Sequence, residues 1–174
     1  MSVTTRIVSA ADLDCVLAPL TELLRESVDA GASLGFLAPL SYEEARDYWW
    51  SLRPELQAGS RLLLAAYDDD RVIGSGQLVL PKWSNATHRA ELQKVFVAAA
   101  MRGRGVGRQL MTGLHDEARA RGRSLLLLST RSGEPTEEFY KGLGYREVGV
   151  IPGYMYGPGG KRYDNLVLYQ ELSG

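Results

Sequence analysis

The segment that most constrains the fold of this chain is a run of alternating glycines at residues 102–107, RGRGVG. Residues 90–98, just before it, read as a strand, and residues 106–121 carry apolar side chains at helical spacing before the helix stop Gly122. Glycines leave the backbone uncovered, so an anion can approach the unpaired N–H groups where a helix begins. The order of strand, tight loop and helix therefore predicts an anion-binding site.

Two other kinds of phosphate-binding loop are excluded by spacing. A nucleoside-triphosphatase loop needs a lysine and then Ser or Thr after its last glycine, whereas Arg108 and Gln109 follow Gly107. A dinucleotide-binding loop needs G-x-G-x-x-G and an acid about twenty residues further on, where this chain has Leu126 and Leu127. For the loop taken alone, an alternative stays open, in which the glycines only form turns and bind no anion.

The composition predicts a single domain over residues 1–174. The chain is 45% hydrophobic and 24% charged, and no apolar run reaches the roughly 20 residues that cross a bilayer. Its N-terminus lacks an apolar signal core, so we expect a cytoplasmic protein without membrane contact. The net charge of −1 provides no general attraction for nucleic acid, which favours a small partner.

Metal chemistry is not expected. Cys15 is the only cysteine, and His88 and His115 are the only histidines, which is too few for a Cys/His metal cluster. We predict that Cys15 is a small core residue. His88 is expected in a polar turn and His115 on the surface, and neither is given a role.

Helical and strand-like runs follow one another in a mixed order. Ser41 and Glu44 form a capping-box pattern, which predicts the start of a second helix. The acidic turn at residues 68–70 indicates an antiparallel hairpin, whereas the helix after the glycine loop leads into a parallel strand. The predicted strands are 6–9, 61–67, 71–80, 90–98, 124–130, 145–151 and 163–172, and the predicted helices are 10–29, 41–56, 106–121 and 137–143. This order predicts an α/β (α+β) sheet with helices on its faces.

Three blocks of the sequence resemble the Gcn5-related N-acetyltransferase (GNAT) superfamily. ELQKVFV at residues 91–97 resembles its fourth strand, RGRGVG its glycine loop, and EEFYKGLGY at residues 137–145 its closing aromatic segment. The resemblance implies a single GNAT-like domain, with a mixed sheet of about six or seven strands and about four helices. It further implies a sheet splayed between its fourth and fifth strands, and an enzyme that transfers an acetyl group from acetyl-CoA to an amine.

The same resemblance implies which residues bind the cofactor. The strand would offer backbone groups to the pantetheine arm and an N–H group to the thioester carbonyl, and the loop amides would hold the diphosphate. The implied cofactor-binding residues are Val95, Phe96, Val97, Arg102, Gly103, Arg104, Gly105, Val106, Gly107 and Arg108.

Two residues are candidates for catalysis. Strand alternation predicts Glu91 on the same face as Val95 and Val97, where a partly buried carboxylate could take the amine proton through water. A salt bridge or a solvated carboxylate is the alternative for Glu91. Tyr140 matches the tyrosine that the family places beside the cofactor sulfur and could return a proton there, although a packed aromatic residue would give the same sequence.

Two further segments point to the acceptor. GASLGF at residues 31–36 and PGYMYGPGGKRYDN at residues 152–165 resemble loops of the tabtoxin-resistance group of small-molecule acetyltransferases. This resemblance implies an amino-acid-like or antibiotic-like amine as acceptor and antibiotic resistance as one role, and family resemblance allows a homodimer. Two alternatives stay open: a non-catalytic module that senses acetyl-CoA, and an acetyltransferase of protein N-termini or lysines.

Overall fold

A computed structural model of the protein describes residues 3–172, and a seven-stranded mixed sheet forms its centre. The strands are β1 (Val3–Val8), β2 (Arg61–Asp68), β3 (Arg71–Val79), β4 (Arg89–Val97), β5 (Leu125–Arg131), β6 (Arg146–Tyr156) and β7 (Arg162–Glu171). They are ordered β1-β2-β3-β4-β5-β7-β6 across the sheet. The predicted α/β architecture with six or seven strands is confirmed.

The sheet opens between β4 and β5. These two strands are parallel, and their pairing covers only Arg89 with Leu125, Ala90 with Leu126 and Glu91 with Leu127. Beyond that point β4 stays paired with β3, and β5 stays paired with β7. The facing edges of β4 and β5 therefore diverge, and their N–H and C=O groups are available to a ligand. The predicted splay between the fourth and fifth strands is confirmed.

Helices cover both faces of the sheet. They are α1 (Leu13–Asp29), α2 (Tyr42–Ser51), α3 (Arg53–Gln57), α4 (Val106–Ala120) and α5 (Thr136–Lys141). α1 and α2 pack on one face, where the fully buried Trp49 donates its indole N–H to the Leu20 carbonyl at 3.0 Å. α4 connects the parallel strands β4 and β5 and packs on the other face. None of the helices described over residues 3–172 has the length and apolar character to cross a bilayer.

The second predicted helix is divided in two. Ser41 caps α2 as expected, accepting a hydrogen bond from the Glu44 amide at 3.1 Å. Prediction of one helix through Leu56 is wrong, because α2 ends at Ser51 and Leu52 links it to α3. Pro54 has no N–H to continue the first helix and suits the first turn of the second.

Strand β6 is longer than the sequence indicated. Residues 152–156 were expected in a glycine- and proline-rich loop, but Met155 pairs with Tyr163 and Tyr156 with Arg162. Gly153 has a φ of 60° and donates its N–H to the Asp164 carboxylate at 2.8 Å. The strand therefore bends at this glycine and resumes pairing, because an aspartate side chain satisfies the backbone group released by the bend.

Strand β4 contains a β-bulge at Lys94. Gln93 and Phe96 are three positions apart on β4, whereas their partners Gln77 and Ser75 are two apart on β3. Lys94 adopts a φ of 49°, in the left-handed region that few residues other than glycine enter. One extra residue is therefore inserted into β4 at this point.

The bulge changes the faces of β4. Because alternate residues of β3 share a face, Phe96 lies on the face of Glu91, and Val95 lies on the opposite face with α4. The contacts agree, since the ring of Phe96 lies 6.4 Å from that of Trp49 in α2. The prediction that Glu91 shares a face with Val95 is therefore wrong.

Candidate active site

A cavity of about 640 Å³ fills the opening between β4 and β5. Its volume lies within the range of roughly 300–1,000 Å³ that is usual for small-molecule and cofactor sites. The lining comprises residues 30–34, 92–97, 101–103, 105–108, 128–131, 134–136, 139 and 140. It thus joins the loop after α1, both diverging strands, the glycine loop and α5 in one continuous space.

The glycine loop forms one end of this cavity. Gly103 and Gly105 have φ values of 73° and 83°, a conformation in which other residues are strained. Gly105 caps α4 without a side chain, and the first bond that closes the helix runs from the Gln109 N–H to the Gly105 carbonyl. In an α-helix the N–H groups before this first bond, here those of residues 106–108, have no partner within the helix. They are therefore available to an anion.

Gly107 holds the loop close to α5. A Cβ atom at this position would lie 3.3 Å from Cζ of Phe139, tighter than ordinary contact. The absence of a side chain therefore keeps the first turn of α4 close to Phe139 and open toward the cavity. These features fit a diphosphate, which needs several N–H donors and close backbone approach.

Nearly all the predicted cofactor residues line the cavity. Val95, Phe96, Val97, Arg102, Gly103, Gly105, Val106, Gly107 and Arg108 are part of its lining. Arg104 lies in the loop with an exposed side chain and is not among the lining residues. The Val106 side chain is buried, with 1% of its surface exposed. Only the backbone groups of Val106 can therefore contact a ligand in the cavity.

Tyr140 lies in the cavity wall on α5. Its ring packs edge to face with Phe139 at 5.3 Å and with Tyr145 at 5.9 Å between centroids. Among the described residues, its hydroxyl makes no hydrogen bond, and burial raises the pKa of Tyr140 to about 12. A hydroxyl that stays protonated at neutral pH is a suitable donor toward a leaving sulfur atom.

Glu91 lies outside the cavity lining. Its side chain is exposed at the closed end of the β4–β5 opening, and its Oε1 accepts a hydrogen bond from the Gln93 amide at 3.1 Å. The structure therefore does not bring the two candidate catalytic residues together at the cavity wall. The partial burial on which the catalytic hypothesis for Glu91 depended is also not observed.

Sequence reasoning missed Arg131, which joins three elements around the cavity. Its Nε donates to Glu134 at 2.9 Å, its Nη2 donates to the Gly31 carbonyl at 3.2 Å, and its guanidinium stacks 4.8 Å from the ring centre of Tyr163. The end of β5 is thereby tied to the loop after α1 and to β7. Only the position of Arg131 at the end of a strand could have indicated this role.

Two side chains outside the cavity differ from their predicted environments. Cys15 is exposed rather than in the core. His115 is partly buried rather than on the surface, and its Nε2 lies 2.9 Å from the Tyr145 hydroxyl. Burial lowers the pKa of His115 and raises the pKa of Tyr145, so both side chains are neutral at neutral pH.

Comparison with known proteins settles the family. The model of the acetyltransferase (GNAT) family matches residues 22–145, which include β4, the glycine loop and Tyr140. The chain belongs to the GNAT acetyltransferase family. The superfamily inferred from the three sequence blocks is confirmed.

Two curated relatives of this GNAT protein come from Azospirillum brasilense. An uncharacterized N-acetyltransferase in the hisH-hisA intergenic region is 34% identical over 114 residues, which are 64% of this chain and 66% of that protein. The chain thus spans just under two thirds of this relative. An IAA acetyltransferase is 30% identical over 139 residues, which are 79% of this chain and 81% of the relative.

Solved structures share the fold. The structure of yncA from Salmonella typhimurium with its cofactor acetyl-CoA has a TM-score of 0.76 and 19% identity. The match covers 100% of this chain and 96% of the yncA chain. The likeness therefore extends over the whole domain, including the strands on both sides of the cavity.

Proposed function

We propose that this GNAT protein transfers the acetyl group of acetyl-CoA to the primary amine of a small molecule. The observation that carries the proposal is the continuous cavity, which has uncapped helix N–H groups at one end and Tyr140 in its wall. An extended thioester with a diphosphate fits this arrangement. The helix N–H groups would donate hydrogen bonds to the diphosphate, and the unpaired backbone groups of β4 and β5 would bond to the pantetheine amides. An acceptor then enters between β4 and the loop after α1.

Several groups of the chain would act on the reaction. Acetyl-CoA supplies an activated acyl carbon, at which a C–N bond forms as the C–S bond breaks. The N–H groups near the bulge, at Phe96 or Val97, would donate to the carbonyl oxygen, an interaction worth about 3 kcal/mol per donor in other enzymes. Tyr140 would donate a hydrogen bond and a proton to the departing sulfur, while the amine loses its proton to a base or to water.

The charge of the cavity supports a small acceptor. Among the described residues that line it, four are cationic and one is acidic: Lys94, Arg102, Arg108, Arg131 and Glu134. A groove for protein N-termini or lysines would be expected to be wide and acidic, because those acceptors are cationic chains. An amino-acid-like acceptor of the tabtoxin-resistance kind is consistent with this lining. The homodimer and the cytoplasmic location stay predictions.

We expect thiol release from acetyl-CoA with small amines and none with peptides. The assay measures thiol release by purified protein with free amino acids, polyamines, amine-bearing antibiotics and short peptides as acceptors. Because exposed Cys15 itself reacts with thiol reagents, each assay needs a blank without acceptor. Turnover of peptides alone would contradict the small-molecule proposal, and binding of coenzyme A without any turnover would favour a sensor module.

The proposed role of Glu91, accepting the amine proton through water, stays a prediction. Glu91→Gln keeps the acceptor oxygen for the Gln93 amide but removes the base, so we expect kcat to fall by about 10²-fold. Coenzyme A affinity should be unchanged, and Glu91→Asp should recover part of the rate. A decrease of less than about threefold would assign the proton to bulk water instead.

A further inference from the structure

We infer that Lys94 binds a carboxylate of the acceptor, so that the substrate of this enzyme is a small amine that carries a carboxyl group. This inference rests on the proposed acetyl transfer and names the class of molecule that receives the acetyl group. It assigns to Lys94 the selection and orientation of the acceptor.

Lys94 lies at the bulge in β4 and is part of the cavity lining, and its ammonium lies at the edge of the cavity that adjoins α2 and the loop after α1. Its Nζ lies 5.5 Å from the ring centre of Phe36 and 5.3 Å from that of Tyr48, and a Cβ on Gly35 would lie 3.2 Å from it. Phe36 and Gly35 belong to the loop that the sequence indicated for the acceptor. The two rings hold the ammonium group by cation–π attraction and keep it at a defined position.

Lys94 has no carboxylate partner among the residues that the structure describes. Among residues 3–172, no Asp or Glu lies within ion-pair distance of its Nζ, and the nearby acids are engaged elsewhere. Glu55 pairs with Arg61 at 2.9 Å, and Glu91 accepts from Gln93. A partly buried cation without an anion is unfavourable, and an incoming carboxylate would remove this cost.

The charge around Lys94 reinforces this need. Burial and then the positive charge of Arg61 lower the pKa of Lys94. The hydroxyl of Tyr48 and the amide of Gln77 bond to each other, and Arg61 also donates to Gln77 at 2.6 Å. These bonds hold Tyr48, whose ring contacts the Lys94 ammonium, and Arg61 is already paired with Glu55. The Lys94 ammonium is therefore the cation of this group that an incoming anion can neutralise.

The anion that meets Lys94 differs from the cofactor diphosphate. The glycine loop opens at the start of α4, near Val97, on the face of β4 that α4 covers. Lys94 contacts the aromatic rings on the opposite face, beside α2. The ammonium would also repel a cationic amine, so an amino acid with its carboxylate on Lys94 would direct its amine away, toward the opening between β4 and β5.

The test uses matched acceptors that differ only in charge. A panel of free α-, β- and γ-amino acids, each paired with its carboxamide, is assayed by thiol release from acetyl-CoA. Wild-type protein should prefer the carboxylate in kcat/KM, and Lys94→Met should reduce this preference by about 10- to 100-fold through KM. Lys94→Arg should retain most of it, and Lys82→Met, at an exposed lysine before β4, should retain all of it.

Four outcomes would overturn the inference. The first is a wild-type enzyme that uses carboxamides as well as carboxylates, and the second is a preference that survives in Lys94→Met. The third is a fall in kcat with both acceptor types and a changed pH profile, which would make Lys94 a base. The fourth is turnover of the carboxamides only, or of no acceptor in the panel. Calorimetry with coenzyme A then separates this inference from the proposed function. Cofactor binding together with turnover of amines that lack a carboxylate would refute the role of Lys94 and leave the acetyl transfer intact.

Discussion

Replacing Gly107 with glutamate is expected to weaken coenzyme A binding by at least about 100-fold, equivalent to about 3 kcal/mol. The new Cβ would lie 3.3 Å from Phe139 and would fill the space where the first turn of α4 meets the cavity. Its carboxylate would repel a diphosphate and compete for the same helix N–H groups. Isothermal titration calorimetry of the purified variant with coenzyme A measures the loss.

The control places the same charge on the same helix away from the cavity. Thr112→Glu adds a carboxylate to an exposed position of α4 and should bind coenzyme A within about twofold of wild type. Thermal unfolding should confirm that both variants fold, because the carboxylate of Gly107→Glu lies near the N-terminus of α4, where it is favourable, and Thr112 is exposed. Unchanged affinity in folded Gly107→Glu protein would contradict diphosphate binding at this loop.

Replacing Tyr140 with phenylalanine is expected to lower kcat by about 10²- to 10³-fold while coenzyme A still binds. The ring and its contacts with Phe139 and Tyr145 remain, so only the donor to the leaving sulfur is removed. The matched control is Tyr145→Phe, which removes a buried hydroxyl that faces His115 outside the cavity lining. That control should lose stability of about 1 kcal/mol and little kcat.

The raised pKa of Tyr140 gives this prediction a pH signature. The donor form is the protonated hydroxyl, which persists until the pH approaches a pKa of about 12. Activity that depends on Tyr140 should therefore not decline from its ionisation between roughly pH 7 and pH 10. The ratio of wild-type to Tyr140→Phe rates should stay constant over this interval. A ratio that falls as the pH rises would show that Tyr140 ionises near neutrality or acts otherwise.

Local patterns predicted much of the architecture because they depend on neighbours along the chain. The cap at Ser41, the hairpin around residues 68–70 and the stop at Gly122 each follow from one or two residues and the geometry they allow. The break at Leu52 could also have been predicted, since Pro54 was visible in the sequence. The extension of β6 could not, because it depends on Asp164 of the neighbouring strand.

The candidate site divides in the same way. The glycine loop and the strand before it were predictable, since an uncovered helix start is a local property of residues 102–107. The environments of Glu91 and His115 were not, because burial depends on what packs against a side chain from distant parts of the chain. The bridge from Arg131 to Gly31 likewise joins residues that are far apart in sequence.

The sequence by itself determined the family, the order of most elements and the glycine loop that we propose binds a diphosphate, because these features depend on short local patterns in three blocks of the chain. Only the tertiary structure decided which side of β4 each residue faces. Lysine has no intrinsic preference for a φ of 49°, so no local signal marks the bulge at Lys94. Pairing with β3 and packing against α2 impose it, and they place the Lys94 ammonium beside the ring of Tyr48.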